Sequence, residues 1–111
     1  MPKHSDEIVR QDIINAGKLI LEFIEGFYKR TFVNDRKTRS AVLYQLTVVG
    51  EAVKRLSKEF RAQHTHIPWS LIAGMRDHLI HGYDLVDWDE VWQTAQKDIP
   101  DLLQKIEQLS L

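Results

Sequence analysis

The sequence predicts an all-α chain, a bundle of four main helices with the last one split. Apolar residues recur three or four positions apart over long stretches, which is the spacing that lines one face of a helix. No stretch alternates apolar and polar residues between turn signals as a half-buried strand does. The helix breakers fall where such helices would start, stop or approach one another.

The first helix is expected from about Ser5 to Lys29. Val9, Ile13, Ala16, Ile20, Phe23, Ile24 and Phe27 form one apolar stripe along it. Ser5 or Asp6 is a candidate N-cap, and Glu7 sits favourably near the positive end of the helix dipole. The second helix starts near Asn34 or Asp35 and reaches about Phe60. Its seam is Val42, Leu46, Val49, Val53, Leu56 and Phe60, spaced as in a close helix pair. Gly50 inside it costs up to about 1 kcal/mol against alanine. A close approach by another helix explains that residue better than a hinge does.

The polar run from Arg61 to Ile67 reads as a loop. Pro68 then opens a third helix over Trp69 to His81, with Gly82 as a left-handed stop. Asp87-Trp88-Asp89-Glu90 has the form of a capping box and begins the fourth helix. Pro100 predicts a kink or break before Asp101 to Leu109.

The 111 residues fit a single domain spanning 1–111. With 43% hydrophobic and 28% charged residues the chain resembles an ordinary globular domain, which argues against global disorder. There is no cysteine, which excludes disulfides, thiolate nucleophiles and thiolate metal sites. No apolar run approaches the roughly 20 residues of a membrane span, and the N-terminus lacks the apolar core of a signal peptide. A cytoplasmic location without membrane contact is therefore expected. Fifteen basic and sixteen acidic residues leave a net charge of −1, so any contact with nucleic acid must come from a local patch.

The chemistry concentrates in Ala73 to Tyr83, which reads AGMRDHLIHGY. Arginine presents a permanently charged planar fork that matches phosphate oxygens. Histidine moves protons near neutral pH. Arg76 and His81 supply one of each. On one continuous helix they would differ by about 140°, so either the helix ends and turns near Gly82 or the groups meet in a cleft with a second chain. Asp77, four residues before His81, could be its helix neighbour and would favour a protonated ring, suiting His81 to act as an acid. His78 could pair with His81 instead, although a solvated position explains it as well. His64 and His66 form an H-x-H pair with no further ligand nearby, so neither a metal nor any other cofactor is expected.

Arg76-x4-His81-x-Tyr83 resembles the signature of HepT-like proteins of the HEPN superfamily. VVGEAVKRLSKEF, IPWSLIAGMRDHLIHGY, DWDEVW and DIPDLL agree with it in order, from Ser5 to Leu109. The resemblance implies a HEPN-type antiparallel bundle of four to five helices. It also implies a homodimeric, metal-independent endoribonuclease with Arg76, His81 and Asp77 in its site, cleaving tRNA or mRNA through attack by the 2′-hydroxyl. In such systems the toxin is paired with a minimal nucleotidyltransferase antitoxin (a type VII toxin–antitoxin pair), which adenylylates the motif tyrosine, here Tyr83. The alternative is a non-catalytic HEPN module that docks a nucleotidyltransferase. Lys29, Arg30, Arg36, Lys37 and Arg39 could guide RNA, as could Lys54, Arg55, Lys58 and Arg61, although charge runs are ordinarily solvated faces. Trp69, Trp88 and Trp92 fit core or dimer anchors better than base-stacking platforms.

Overall fold

The computed structural model describes residues 4–82 and 85–109. Helix α1 covers His4–Ile24 and buries Val9, Ile13, Ala16 and Ile20 of the expected stripe, while Phe23 and Ile24 are partly buried and Phe27 lies beyond the helix. It stops five residues short of Lys29. Gly26 adopts a φ of 83°, and the Phe27 N–H turns back to Ile24 O at 2.9 Å. A separate short helix, α2 (Lys29–Val33), comes next. Its Phe32 is fully buried, worth about 1.5–3 kcal/mol of transfer free energy, and lies 5.2 Å from the ring of Trp92.

Helix α3 (Arg36–Arg55) starts where expected. The Asp35 carboxylate accepts from Thr38 N–H at 2.9 Å, and that bond holds the carboxyl below its ordinary pKa. The helix ends before Phe60 because Leu56 is extended, with ψ 142°, and Ser57 caps a new helix, α4 (Lys58–Gln63). The cause lies far away in the chain. Asp6 accepts from Ser57 N–H at 2.8 Å and from its hydroxyl at 2.7 Å, across 51 positions. Asp6 is therefore a buried residue within α1, not an N-cap at its start.

These contacts, with Arg55 and Asp12 at 3.3 Å, place the start of α1 beside the end of α3, so the two helices run antiparallel. Val42, Leu46, Val49, Val53, Leu56 and Phe60 are all buried, as the seam predicts.

The third predicted helix is two five-residue pieces, α5 (Trp69–Ala73) and α6 (Met75–Leu79), joined at Gly74. Pro68 stands just outside α5 as its N-cap. Helix α7 (Trp88–Gln93) begins after Asp87 and passes into a π-helical stretch, Thr94–Asp98, then into α8 (Ile99–Glu107). Pro100 explains the π segment. It brings no N–H to the ladder and its ring crowds the preceding turn, so the helix widens there and the chain continues without a break.

Helix α8 buries Ile99, Leu102, Leu103 and Ile106. Its last carbonyls, Ile106 O and Glu107 O, accept from the Arg10 guanidinium at 3.1 and 3.2 Å, which closes the helix end against α1. All three tryptophans serve packing. The Trp69 indole donates to His64 O at 3.0 Å, Trp92 meets Phe32, and Trp88 lies beneath Arg39. Among the described residues, no helix is long and apolar enough to cross a membrane.

Candidate active site

Leu79 and Met75 anchor α6, both buried, and leave Arg76, Asp77 and His78 exposed around the helix. The helix stops at Leu79 because Ile80 is extended, with φ −117° and ψ 117°. Ile80 pairs with Val86 in an isolated antiparallel bridge. Two backbone bonds flank this bridge: Asp87 N–H to Leu79 O at 2.9 Å, and His81 N–H to Leu85 O at 2.7 Å. The chain thus doubles back, with His81 at the base of a tight loop.

Gly82 comes next with a φ of 75°, the left-handed conformation the sequence assigns to it. Its role differs from the expected one, since α6 has already ended three residues earlier and Gly82 shapes the loop. Tyr83 lies outside the described residues.

This turn settles the angular conflict between Arg76 and His81. They do not share a helix, so the 140° offset that a regular helix imposes, about that value at 100° per residue, does not apply. The same turn overturns two helical pairings. Asp77 is not a helix neighbour of His81; its carboxylate instead faces the Arg76 guanidinium at 3.9 Å, with both groups largely exposed. His78 is not paired with His81 either. Its Nε2 lies 3.2 Å from a Glu90 carboxylate oxygen, joining α6 to the first turn of α7.

Glu90 is the residue sequence reasoning missed here. The supposed capping box forms only by half: Asp87 accepts from Glu90 N–H at 3.1 Å, while the Glu90 side chain goes to His78 and the Asp87 N–H to Leu79 O. No local signal marks a pairing of residues twelve apart. Arg76, Asp77, Ile80 and Gly82 together line an open depression on this side of α6. A guanidinium exposed at the edge of such a depression can take a phosphate bidentately from solvent.

The basic residues divide. Arg30, Arg36 and Lys37 are exposed on α2 and the first turn of α3. Lys29 is also exposed but pairs with Asp89 at 3.7 Å. Arg39 is engaged inside the fold, donating to Val33 O at 2.7 Å with its guanidinium 4.5 Å above the Trp88 ring. In the other set, Lys54 contacts Glu51 and Arg55 contacts Asp12. His64 packs its ring 4.7 Å from Phe60, and burial pushes its pKa below the ordinary histidine value, with His66 adding to the shift.

A small helical bundle with this arginine–histidine turn falls in a class its relatives name as ribonucleases. The chain belongs to the family described as Ribonuclease HepT-like, which matches residues 13–109. It is 41% identical to the "Probable ribonuclease HepT" of Thermococcus cleftensis, over 96% of this chain and 97% of the relative. It is 38% identical to "Putative RNase MJ0125" of Methanocaldococcus jannaschii, over 98% of this chain and 94% of that protein. A protein of Caldanaerobacter subterraneus with a similar name, "Putative RNase TTE0752", is 38% identical over 89% of this chain and 88% of its own. No solved structure matches the chain.

Proposed function

We propose that the protein is a metal-independent endoribonuclease acting as the toxin of a type VII toxin–antitoxin pair, with Arg76 and His81 at its reaction centre. The observation that carries this reading is the turn after Leu79. It ends the helix that holds Arg76 before His81, leaving both side chains exposed, and Arg76 lines an open depression with Asp77, Ile80 and Gly82. The RNA's 2′-hydroxyl attacks the adjacent phosphorus, the bond to the 5′-oxygen breaks, and a 2′,3′-cyclic phosphate and a 5′-hydroxyl result. A base takes the 2′-hydroxyl proton and an acid delivers one to the departing oxygen. Arg76 neutralises the charge that gathers on the phosphoryl oxygens, an effect worth about 10²–10³-fold in rate. His81 supplies proton transfer, worth about 10²–10⁴-fold when well placed. Asp77, beside Arg76, orients the guanidinium.

One histidine cannot be base and acid in the same step, so a homodimer that brings two copies of the turn together completes the site. Arg30, Arg36 and Lys37 guide the RNA backbone, a tRNA or an mRNA. Control falls to a partner nucleotidyltransferase. It joins the Tyr83 hydroxyl to the α-phosphorus of ATP with release of pyrophosphate. The attached AMP places negative charge and bulk one residue from Gly82, where it repels and blocks an incoming phosphodiester.

The test is incubation of the protein with total RNA in EDTA, beside Arg76→Ala and His81→Ala variants. Cleavage by the wild type alone, leaving cyclic phosphate ends, is the expected result. A requirement for zinc or magnesium, or equal cleavage by the variants, contradicts it. For the control step, Tyr83→Phe should not gain the mass of AMP when ATP and the nucleotidyltransferase are supplied.

A further inference from the structure

On the other side of α6 from Arg76 lies a cavity of about 380 Å³, between α5–α6 and the π stretch with α8. Its walls are apolar: Pro68, Leu71, Ile72, Met75, Ile99 and Leu102. The volume falls in the lower range for small-molecule sites, about 300–1,000 Å³, and a mostly apolar pocket with a few polar groups is the usual composition of such a site. Thr94, His78, Asp98, Asp101 and Lys105 edge the cavity. Lys105 is taken up by Asp101 at 3.0 Å and His78 by Glu90 at 3.2 Å. Among the described residues Asp98 takes part in no ion pair, so the edge carries one carboxylate in excess.

The π stretch is what puts Asp98 there. An i→i+5 turn adds a residue to the helix and rotates the residues beyond it, and such bulges occur frequently at functional sites. Asp98 is the last residue of that stretch, and Thr94, its first, also lines the cavity. Desolvation by its surroundings raises the Asp98 pKa, and Glu90 and Asp101 add to the rise while Lys97 and His78 oppose it. Asp98 is exposed at the cavity's edge, and a carboxylate there, with an apolar wall on one side, gains from a cation brought to it.

We propose that this cavity is a binding site for a small amphipathic cation, an apolar or aromatic body ending in one protonated nitrogen, with Asp98 as the charge partner. The body fills the space between Ile72, Met75, Ile99 and Leu102, and the nitrogen meets Asp98 at the edge. Occupancy of this cavity is independent of RNA cleavage.

Three probes of one shape test it: 2-phenylethylamine, the neutral 2-phenylethanol and the anionic 3-phenylpropionate. Binding is read from methyl resonances of Ile72, Met75, Ile99 and Leu102 in the intact protein. The amine should perturb them at the lowest concentration, with about a threefold to fivefold advantage over the alcohol for a partly exposed charge pair. The anion should bind most weakly. Asp98→Asn should leave the alcohol's affinity unchanged and erase the amine's advantage. Ser70→Trp, at an exposed position on the cavity's lining, should weaken all three. Saturation with amine should also move the Asp98 titration downward. Equal binding of amine and alcohol to the wild type overturns the proposal, as does an amine preference that survives Asp98→Asn. Methyl resonances that stay unmoved at millimolar amine overturn it too.

Discussion

The main-chain N–H of His81 donates to the carbonyl of Leu85 at 2.7 Å, a short bond that closes the loop over Gly82. Both partners are backbone groups, so the loop's base is fixed by chain conformation and not by side-chain chemistry. The imidazole is left outside this bond, exposed and available. The histidine's position therefore depends on whether the backbone can make the turn.

Gly82 is where that dependence can be tested. A Cβ there would meet nothing within 4 Å, so space is no obstacle, but a φ of 75° strains any residue with a side chain. The left-handed conformation costs about 1–2 kcal/mol outside glycine, least for asparagine. Gly82→Ala should lower Tm by some degrees, since about 1 kcal/mol moves a domain this size by roughly 4–8 °C. RNA cleavage should fall in the order Gly, Asn, Ala. Wild-type cleavage by the alanine variant would show that His81 does not need this turn.

Arg76→Lys separates charge from shape. Arg76 is exposed, and its contact with Asp77 is a surface pair that contributes little to stability, so the thermal midpoint should not move. An ammonium keeps the charge but loses the planar fork. Lysine should therefore recover only part of the roughly 10²–10³-fold that removal of such an electrostatic donor costs. Full recovery, measured as single-turnover cleavage, would reduce Arg76 to a point charge.

His64 gives the fold a dependence on pH. Its pKa is lowered, first by burial and then by the charge of His66. A depressed histidine binds fewer protons folded than unfolded, so its contribution to stability is present above about 6.5 and is lost as pH falls through the folded value. Tm should decline on acidification through that window, and His64→Gln should flatten the decline. The Trp69 indole keeps its acceptor in that variant because it bonds the backbone carbonyl. An unchanged slope in His64→Gln would place the titrating group elsewhere.

The long periodic helices were legible because their signal is local. Val9 through Ile20 and Val42 through Val53 repeat at helical spacing, and both stripes are buried. The start of the second helix near Asn34 or Asp35 was legible for the same reason, and Asp35 is the residue that caps it. The interruptions were not, because their causes lie far along the chain. The break at Leu56 answers to Asp6, and His78 turns to Glu90. The π stretch could be placed from Pro100 only as some disturbance of the helix, since a kink, a break and a widened turn all accommodate a missing N–H. In the candidate site, the residue types were readable but not the turn between Arg76 and His81. Ile80 and Val86 bridge across a loop, which no helical period can announce.

Gly50 offers a sharper test of packing, because two effects oppose each other there. Within α3, alanine in place of glycine gains about 1 kcal/mol of helix propensity. Against this, a Cβ at Gly50 would sit 3.1 Å from Ile72 O and 3.8 Å from Ala73 O, both backbone atoms at the end of α5. Backbone held by the burial of Trp69 and Met75 on either side cannot swing away as a flexible side chain would. Overpacking of this kind costs typically about 1–3 kcal/mol. The steric cost should win, so Gly50→Ala should unfold at lower denaturant concentration than wild type with an unchanged m-value. Gly50→Val should fall further, having lost the propensity gain as well. If alanine instead raises the midpoint, α5 yields to the methyl group. The close approach of α3 to the end of α5 would then be loose.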